Sequence, residues 1–337
     1  MIRVAINGFG RIGRTFFRIA FERPELEIVA LNDLGEPENL AYLLRYDTVY
    51  GRYHKEVKIE DGSLVVEGKK IKLLSEKEPA ALPWDKLGVD VVVESTGVFT
   101  DTEEAANHLK AGAKRVVITA PSKGAAPYIL IGANDDQFRE GLAEVTCNAS
   151  CTTNAAAPVA AIMMENPGVV KAMLNTVHGY TATQSLVDGP AKKDFRRGRA
   201  AAQNIVPSTT GAAESVYKSL PALEGFFDGI AMRVPVISGS IVDFTFVSKR
   251  KTSVDEINNI FREAAKLPRW EKTLAVTEEP LVSSDIIGTT YGSVVDLSMT
   301  RVVDGDLVKV LAWYDNEWGY SNTLVEHVIR VGNLLQK

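Results

Sequence analysis

Apolar runs alternate with segments of helical spacing through the first third of the chain. Between the first two runs, Ile12, Phe16 and Ile19 recur on one helical face. Continuous apolar strands separated by helices are typical of a parallel sheet covered on both faces. The runs that predict strands are Arg3–Ile6, Glu27–Leu31, Val89–Val93, Arg115–Thr119 and Tyr128–Ile131. We therefore predict that residues 1–150 form a doubly wound α/β domain.

The pattern changes after residue 150. Val242, Phe244 and Phe246 alternate with more polar positions, and Leu307–Tyr314 is a second strand-like run. Alternation predicts a sheet with one buried face, which is more often antiparallel. Ser253 has a glutamate three residues later, the spacing of a capping box, and predicts a helix to about residue 266. We expect an α+β domain with a mainly antiparallel sheet over residues 151–315, followed by a terminal helix.

Composition narrows the class of protein without identifying it. The 337 residues suffice for about two domains, and the 45% hydrophobic and 24% charged residues are typical of a globular protein. A net charge of −5 argues against a general nucleic-acid binder. The longest apolar run is too short to span a membrane, and the first residues do not resemble a secretory signal. Only two cysteines are present, which favours a reducing, cytoplasmic setting.

A glycine-rich turn follows the first predicted strand. Gly8, Gly10 and Gly13 fit the dinucleotide fingerprint, which requires a strand before it and a helix after it. The three glycines permit a tight turn, close approach of a pyrophosphate and close packing of helix on strand. Asp33 ends the second predicted strand, where its carboxylate can accept hydrogen bonds from a ribose and would repel a 2′-phosphate. We therefore predict a binding site for NAD rather than NADP.

One cysteine lies where a helix is predicted to begin. Cys151 stands within a polar, cap-forming stretch that precedes the apolar run 155–164. A helix N-terminus favours the thiolate, so Cys151 is a candidate nucleophile. Cys147 follows a predicted strand and fits an inert core position better. A cysteine nucleophile generally needs a base.

Four histidines are candidates for that base. His108 lies in a charged helical pattern and is expected at the surface, whereas His178 ends a predicted strand, where a side chain can be held rigidly at a cleft. No spacing rule connects His178 to Cys151. Arg233, inside an apolar strand, must find an anion or acceptors.

Neither a metal site nor a nucleic-acid site is favoured by the remaining motifs. The cysteines and histidines lack metal-ligand spacing, so no metal site is expected. A basic run is consistent with a solvated face, an interface or a phosphate site, and its few aromatic residues make nucleic acid a weak candidate as main partner. The residues of this run are Lys192, Lys193, Arg196, Arg197 and Arg199.

Together these motifs resemble phosphorylating glyceraldehyde-3-phosphate dehydrogenase over essentially the whole chain. The matching stretches are INGFGRIGR, ESTGVFT, ASCTTN, TVHGYTATQ, RRGRAAAQNIVPSTTGAA, AMRVP and WYDNEWGYSN. The resemblance implies that Cys151 is the nucleophile and His178 the base. It implies that inorganic phosphate is bound by Ser150, Thr152, Thr210, Gly211 and Arg197, and the substrate's C3 phosphate by Thr181 and Arg233. For NAD it implies Arg11, Ile12, Asp33, Lys77, Thr119, Asn316 and Tyr320, besides the glycine turn.

The resemblance also implies an architecture and an assembly. The helix at residues 316–337 would pack back on the first domain, and the protein would be a cytoplasmic, glycolytic homotetramer with the segment 181–201 at an interface. Ala155 stands where the family often has a second cysteine, Thr119 where serine is usual, and Gly179 where alanine or serine is commoner. None of these removes a catalytic group. The alternatives are erythrose-4-phosphate dehydrogenase, a cysteine hydrolase using Cys151 and His178, and a dinucleotide-sensing or RNA-binding protein on the same fold.

Overall fold

The computed structural model describes residues 1–192 and 194–335. Lys193 of the basic run and the last two residues of the predicted terminal helix lie outside the described residues. The chain divides into two compact units. The first comprises Met1–Ile129, Asp135–Ala149 and the chain from Leu324, and the second comprises Leu130–Asn134 and Ser150–Thr323.

The first unit contains an eight-stranded sheet. Six strands run parallel in the order β10-β9-β8-β1-β2-β7, and β6 and β5 continue the sheet as antiparallel strands at its edge. A two-stranded sheet pairs β3 with β4. The strands are β1 (Ile2–Asn7), β2 (Leu26–Asn32), β3 (Tyr46–Asp47), β4 (Gly51–Arg52), β5 (Val57–Glu60), β6 (Ser63–Val66), β7 (Lys69–Leu74), β8 (Val91–Glu94), β9 (Arg115–Ile118) and β10 (Val145–Cys147).

Helices connect the parallel strands of this unit. They are α1 (Arg11–Ala20), α2 (Pro37–Arg45), α3 (Trp84–Leu87), α4 (Thr102–Ala105) and α5 (Asn107–Lys110). The strand predicted at residues 128–131 is wrong, because only Tyr128 forms a bridge, to Cys147. The amide of Leu130 instead donates to the side chain of Asn134, which holds the segment in a turn.

The second unit contains a seven-stranded sheet in the order β12-β13-β11-β14-β17-β16-β15. Four of its six pairings are antiparallel, and the pairs β13–β11 and β16–β15 are parallel. Its strands are β11 (Val169–Gly179), β12 (Val206–Thr209), β13 (Phe227–Val234), β14 (Ser240–Ser248), β15 (Leu274–Thr277), β16 (Ser293–Val303) and β17 (Leu307–Tyr314). The predicted fold class, a parallel doubly wound sheet followed by a mainly antiparallel one, is confirmed.

Strands of this sheet contact the second unit's helices α6 (Cys151–Glu165), α7 (Ala212–Ser219) and α8 (Val254–Ala264), and the last helix, α9 (Trp318–Asn333), is shared between the two units. Helix α6 is buried along almost its whole length, which agrees with its apolar sequence. Ser253 caps α8 by accepting a hydrogen bond from the amide of Glu256, as its sequence spacing predicts. Among the described residues, no helix is long and apolar enough to cross a membrane.

Candidate active site

The glycine turn between β1 and α1 is held by backbone packing. Gly8 has φ of 92°, and a Cβ there would lie 2.6 Å from the amide nitrogen of Thr96. A Cβ on Gly13 would lie 2.2 Å from the carbonyl oxygen of Gly8, so only glycine lets α1 pack on the turn. A Cβ on Gly10 would meet nothing within 4 Å. Two of the glycines are therefore required by the fold, and the third leaves open space at the N-terminus of α1, where phosphates can bind.

A cavity of about 480 Å³ opens at the carboxyl ends of the parallel strands. Its lining includes four residues predicted for NAD, namely Gly8, Gly10, Asp33 and Lys77. The carboxylate of Asp33 accepts hydrogen bonds from the amides of Phe9 at 2.7 Å and Gly35 at 2.8 Å. These bonds fix its position at the end of β2 and leave lone pairs that a ribose hydroxyl can use. The cavity and its polar rim fit a dinucleotide.

The other residues predicted for NAD in this unit have contacts of their own. Arg11, the first residue of α1, forms an ion pair with Asp47 and lies over the ring of Tyr50. Ile12 follows it in α1. The hydroxyl of Thr119 donates to the carbonyl of Glu94 at 3.0 Å.

A buried polar network below the cavity was missed from the sequence. Glu94 at the end of β8 accepts hydrogen bonds from Asn7 at 2.5 Å and from both the amide and the hydroxyl of Thr96. Asn32 donates to Asn7 at 2.7 Å, which links the ends of three parallel strands. His108 lies 3.1 Å from Glu94 and accepts from the indole of Trp84 at 2.9 Å.

The expected surface position of His108 is wrong. Its side chain is fully buried, because its short helix packs the imidazole against Trp84. With the indole N–H donating to Nδ1, the imidazole N–H is on Nε2 and donates to the carboxylate of Glu94. The sequence signal for this network is the placement of Asn7, Asn32 and Glu94 at strand ends.

Cys151 is the first residue of α6. Ser150 caps the helix by accepting a hydrogen bond from the amide of Thr153 at 3.1 Å, and the chain turns sharply at Ala149, where φ is 56°. A left-handed alanine is uncommon, and such strain often occurs at functional sites. Neither cysteine forms a disulfide, and Cys147 is buried with its thiol 3.0 Å from the carbonyl of Ala120. The fold therefore presents only the second cysteine at a helix start.

The structure brings Cys151 and His178 together. The Sγ atom lies 3.4 Å from Nε2 of His178, which is buried at the end of β11. Arg233 is the parallel partner of His178 on β13, and its Nη1 lies 2.7 Å from Nδ1 of the imidazole. Nδ1 is also 2.6 Å from the carbonyl oxygen of Gly179. Strand register therefore places a thiol, an imidazole and a guanidinium in one cluster.

Burial controls the protonation of this cluster. Burial raises the pKa of the Cys151 thiol above its usual value, while Arg233 and the N–H groups of Cys151 and Thr152 act in the opposite direction. The expectation of a thiolate favoured by the helix start is therefore outweighed by desolvation. Burial, helped by the charge of Arg233, lowers the pKa of His178 to about 3. Burial therefore disfavours the charged form of both side chains.

Tyr314 on β17 supports both partners and was missed from the sequence. Its hydroxyl is within hydrogen-bond distance of the hydroxyls of Thr152 at 2.9 Å and Thr176 at 2.8 Å. Its ring meets the imidazole of His178 edge to face at 5.8 Å. It lies in the stretch WYDNEWGYSN, but nothing in the spacing of that stretch indicates which tyrosine points to the site.

Basic and hydroxyl groups come together beside this cluster. Arg197 donates to the hydroxyl of Ser208 at 2.7 Å and to the carbonyl of Thr209 at 3.3 Å, at the end of β12. Thr210 and Gly211 follow and form the start of α7, where a Cβ on Gly211 would meet nothing within 4 Å. Arg197 is also close enough to lower the pKa of Arg233. Such an arrangement favours an anion.

Thr181 lies just beyond β11. Its hydroxyl is 3.0 Å from that of Thr183. The amide of Tyr180 donates to the carbonyl of Val236, which keeps this segment beside the end of β13.

Asn316 is oriented by a cluster of donors that the sequence did not reveal. Its Oδ1 accepts hydrogen bonds from the amide of Gly239 at 3.1 Å and from the hydroxyl of Ser240 at 3.0 Å, and Ser238 lies 3.5 Å away. The amide nitrogen therefore points to the opposite side. Tyr320, in the first turn of α9, is buried. Over residues 1–192 and 194–335, no group of three or more metal-binding side chains occurs.

The comparisons with known proteins agree over both units. Residues 2–102 match the family model of the NAD binding domain of glyceraldehyde 3-phosphate dehydrogenase, and residues 150–316 match that of its C-terminal domain. The chain is 50% identical over 335 residues to the glyceraldehyde-3-phosphate dehydrogenase of Streptomyces coelicolor, covering 99% of each chain. It is 50% identical to that of Thermotoga maritima, covering 97% and 98%, and 48% identical to that of Geobacillus stearothermophilus, covering 96% of each. The chain belongs to the glyceraldehyde-3-phosphate dehydrogenase family.

Proposed function

We propose that this chain oxidises glyceraldehyde 3-phosphate with NAD and inorganic phosphate to 1,3-bisphosphoglycerate, with the acyl group held on Cys151. The observation that carries the assignment of residues is the cluster in which Sγ of Cys151 lies 3.4 Å from Nε2 of His178, with Arg233 on the other side of the imidazole. The family match gives the reaction, and this geometry supports the roles of the three side chains.

Cys151 forms and then releases the acyl group. Its sulfur attacks the aldehyde carbon, and the N–H groups at the start of α6 stabilise the oxygen that becomes negative. His178 takes the hydroxyl proton of the resulting hemithioacetal as hydride leaves its carbon, so a thioester remains on sulfur. Inorganic phosphate then attacks the thioester carbon, and the sulfur leaves as a thiolate that takes back the proton from His178, while the proton of the phosphate goes to solvent and the acyl phosphate is released. Because burial favours the neutral imidazole of His178, it can accept the hydroxyl proton in the oxidation step and return it in this one.

The first unit would hold NAD along the cavity at the ends of its parallel strands. The glycine turn and the start of α1 suit the pyrophosphate, and Asp33 suits the adenosine ribose. When bound, NAD supplies the hydride acceptor. In the second unit, the fixed amide of Asn316 suits the carboxamide of the nicotinamide, and Tyr320 follows close behind it in the chain. Arg11, Ile12, Lys77 and Thr119 complete the proposed set.

Two anion positions are needed because one phosphate belongs to the substrate and the other reacts. We assign the inorganic phosphate to Ser150 and Thr152 at the start of α6, together with Arg197, Thr210 and Gly211 near the start of α7. We assign the C3 phosphate to Thr181 and Arg233. Arginine and hydroxyl donors are the groups that phosphate prefers, and fixing both anions orients the reacting atoms.

The assembly and location are also part of the proposal. The outward face of the sheet in the second unit exposes large apolar side chains, among them Met173, Ile230 and Leu307, which supports a homotetramer. The absence of a disulfide between the two cysteines fits a reducing, cytoplasmic location.

Reduction of NAD, followed by absorbance, tests this function. Glyceraldehyde 3-phosphate should give steady turnover in the presence of phosphate or arsenate, and a single burst of about one NADH per site when both are absent. Erythrose 4-phosphate is the competing substrate and should turn over more slowly. Cys151→Ser should remove nearly all activity, because an alcohol is a far weaker nucleophile and leaving group than a thiol.

Two results would contradict the proposal. One is faster turnover with erythrose 4-phosphate, which would assign the other dehydrogenase activity. The other is a Cys151→Ser variant with near-normal burst and turnover, which would remove the sulfur from the mechanism.

A further inference from the structure

Four hydrogen bonds converge on Glu94, a buried side chain at the carboxyl end of β8. Its Oε2 accepts from Nδ2 of Asn7 at 2.5 Å and from Nε2 of His108 at 3.1 Å. Its Oε1 accepts from the amide of Thr96 at 2.9 Å and from the hydroxyl of the same residue. A carboxylate offers about four lone-pair sites on its two oxygens, so the hydrogen-bonding capacity of Glu94 is taken up within the fold.

The bond from Asn7 sets the orientation of two amides behind the cavity. Because Nδ2 of Asn7 points to Glu94, its Oδ1 accepts a hydrogen bond from Nδ2 of Asn32 at 2.7 Å. Asn32 then holds the backbone of Glu76, donating to its carbonyl at 2.8 Å and accepting from its amide at 2.8 Å. The next residue along each of these two segments is proposed for NAD, namely Asp33 and Lys77.

The bonds from Thr96 fix a residue that lines the cavity. The glycine turn packs directly against it, since a Cβ on Gly8 would lie 2.6 Å from the amide nitrogen of Thr96. Ser95, between Glu94 and Thr96, donates its hydroxyl proton to the carbonyl of Gly8 at 2.7 Å. One carboxylate therefore holds both the turn proposed for the pyrophosphate and the end of β2.

His108 and Trp84 hold the carboxylate without lining the cavity. Both are fully buried, and neither they nor Glu94 are among the residues that face the open space. The indole N–H of Trp84 donates to Nδ1 of His108 at 2.9 Å, so the imidazole proton is on Nε2 and points to Glu94. Nδ2 of Asn7 lies 3.3 Å from the same Nε2, because the two donors share one oxygen. The hydrogen bonding of His108 therefore acts on the cavity through the carboxylate.

We propose that Glu94 is a positioning residue for NAD, whose carboxylate fixes the donors around it, and through them the lining of the cavity, before the dinucleotide binds. The inference rests on the proposed placement of NAD in this cavity. Binding then requires little ordering of the protein, because the glycine turn and the end of β2 are already in place. A polar network whose members are all paired makes a site rigid, which is what such a role requires.

Glutamine cannot replace this carboxylate, although it has the same size and shape. An NH₂ group in place of Oε1 would meet the backbone N–H of Thr96, which cannot turn away. In place of Oε2 it would meet the proton on Nε2 of His108, which the indole holds there. It would also meet Nδ2 of Asn7, whose amide can turn only by losing its bond to Asn32. Either orientation leaves buried donors facing each other, so the network must shift.

Titration of NAD into the full-length protein measures this effect without turnover. In Glu94→Gln the dissociation constant of NAD should rise about 10- to 100-fold, the effect of losing hydrogen bonds to a charged acceptor. The burst of NADH at saturating NAD should keep its wild-type rate, because Glu94 takes no part in the proposed chemistry. Glu103→Gln makes the same change at an exposed carboxylate of α4 and should match wild type in both measurements. A residue that only stabilised the fold would change the melting temperature and leave NAD affinity unaltered.

Two variants of His108 test the same route and decide the matter if Glu94→Gln does not fold. His108→Gln can place an amide nitrogen near the position of Nε2 and still donate to Glu94, so its NAD affinity should stay close to that of wild type. His108→Met has a side chain of similar length without a donor, and its NAD affinity should fall. Equal NAD affinity in the two variants would overturn the proposal, as would a folded Glu94→Gln variant with wild-type affinity.

Asp33→Ala separates failure of this inference from failure of the proposed binding site. The variant lacks the carboxylate proposed for the ribose and should bind NAD more weakly. Weaker binding in Asp33→Ala together with wild-type affinity in Glu94→Gln would overturn the positioning role alone. Wild-type affinity in Asp33→Ala would overturn the placement of NAD on which that role rests.

Discussion

At the scale of single residues, His178 is the group whose protonation the fold controls most strongly. Its imidazole is buried between Tyr314 and Arg233, and burial lowers its pKa to about 3. A neutral base is therefore present throughout the working range of pH. We expect His178→Asn to slow the burst of NADH by roughly 10²–10⁴-fold, the usual contribution of a positioned acid–base group. His54→Asn makes the same chemical change at an exposed position and should leave the burst unchanged.

The lowered pKa of His178 also predicts how the burst of NADH depends on pH. An unperturbed histidine base loses activity below pH 6.5 as it takes up a proton. With a pKa of about 3, His178 stays neutral on acidification through this range, so it should produce no acid limb near 6.5. A limb at 6.5 in wild type that disappears in His178→Asn would show that the imidazole titrates in water-like surroundings, contrary to the structure.

Local sequence signals pointed to Cys151 as a candidate nucleophile more directly than to the residues around it. Cys151 was predicted from local signals, since cap-forming residues and helix formers lie beside it in the chain. Its pairing with His178, 27 residues away, depends on where β11 ends and was available only through family resemblance. His108 shows the opposite case, because a charged helical pattern predicted exposure, while tertiary packing against Trp84 buried the imidazole. Long-range contacts of this kind leave no periodic signal.

At the scale of elements, the turn from β1 to α1 contains two glycines that packing requires and a third, Gly10, that faces open space where we propose that NAD binds. A Cβ on Gly13 would lie 2.2 Å from the carbonyl oxygen of Gly8, a backbone atom that cannot move without displacing the helix. A Cβ on Gly10 meets no atom within 4 Å. We expect Gly13→Ala to destabilise the first unit strongly, and Gly10→Ala to fold normally but bind NAD more weakly.

Thermal unfolding and NAD titration together check this pair. The clash at Gly13 should lower the melting temperature by several degrees, consistent with a loss of a few kcal/mol. The Gly10 variant should keep the wild-type melting temperature and lose NAD affinity, because its methyl group would occupy space that the phosphates approach. Equal affinity for NAD in Gly10→Ala and wild type would exclude a pyrophosphate at this turn.

Helix α9 carries a second histidine whose burial has consequences for stability. The hydroxyl of Thr146 is 2.8 Å from Nε2 of His327, and Nδ1 is 3.2 Å from the carbonyl of Ile129. Burial lowers the pKa of His327 to about 3. In the unfolded chain the histidine has a pKa near 6.5, so it binds a proton below that pH. In the folded chain the same imidazole stays neutral in this range. The free energy of unfolding should therefore fall as pH drops from 6.5, by up to about 1.4 kcal/mol per pH unit for this residue.

Urea unfolding between pH 6.5 and pH 5 measures that slope. His327→Gln removes the titrating group and should flatten the slope relative to wild type, whatever its effect on stability at neutral pH. His54→Gln makes the same chemical change at an exposed position and is the control. A His327→Gln variant with the wild-type slope would mean that this imidazole is protonated as readily folded as unfolded.

Strands were predicted where their own sequence pattern determines them. They were missed where pairing with other parts of the chain determines them. Strand β17 was predicted with its observed bounds, because its apolar run is interrupted only by Lys309. The antiparallel strands β5 and β6 were not predicted, since each has only four residues, too few to show a clear pattern. The run at residues 128–131 had strand composition but forms a turn, because Asn134 takes the amide that a ladder would need.

At the scale of the whole molecule, the two faces of the sheet in the second unit differ in what they bury. Along β11, Leu174, Thr176 and His178 are buried, and the alternate positions point outward. On that outward side Met173 is 55% exposed, and Ile230 and Leu307 are also exposed. Apolar patches of this extent on a monomer usually mark an interface. Ile230 and Met173 lie on the neighbouring strands β13 and β11, and Leu307 begins β17, with β14 between β11 and β17. A self-complementary contact between copies could use this face.

Met173→Glu therefore tests the proposed assembly. A charge buried without a partner costs several kcal/mol, and a two-fold contact brings the same residue in from both copies. We expect wild type to sediment as four chains and Met173→Glu as smaller species at the same concentration. Leu267→Glu places the same charge at a residue that is 52% exposed, just beyond α8, and should retain the wild-type mass. A Met173→Glu variant that still sediments as four chains would mean that this face remains in water and that another surface forms the contacts.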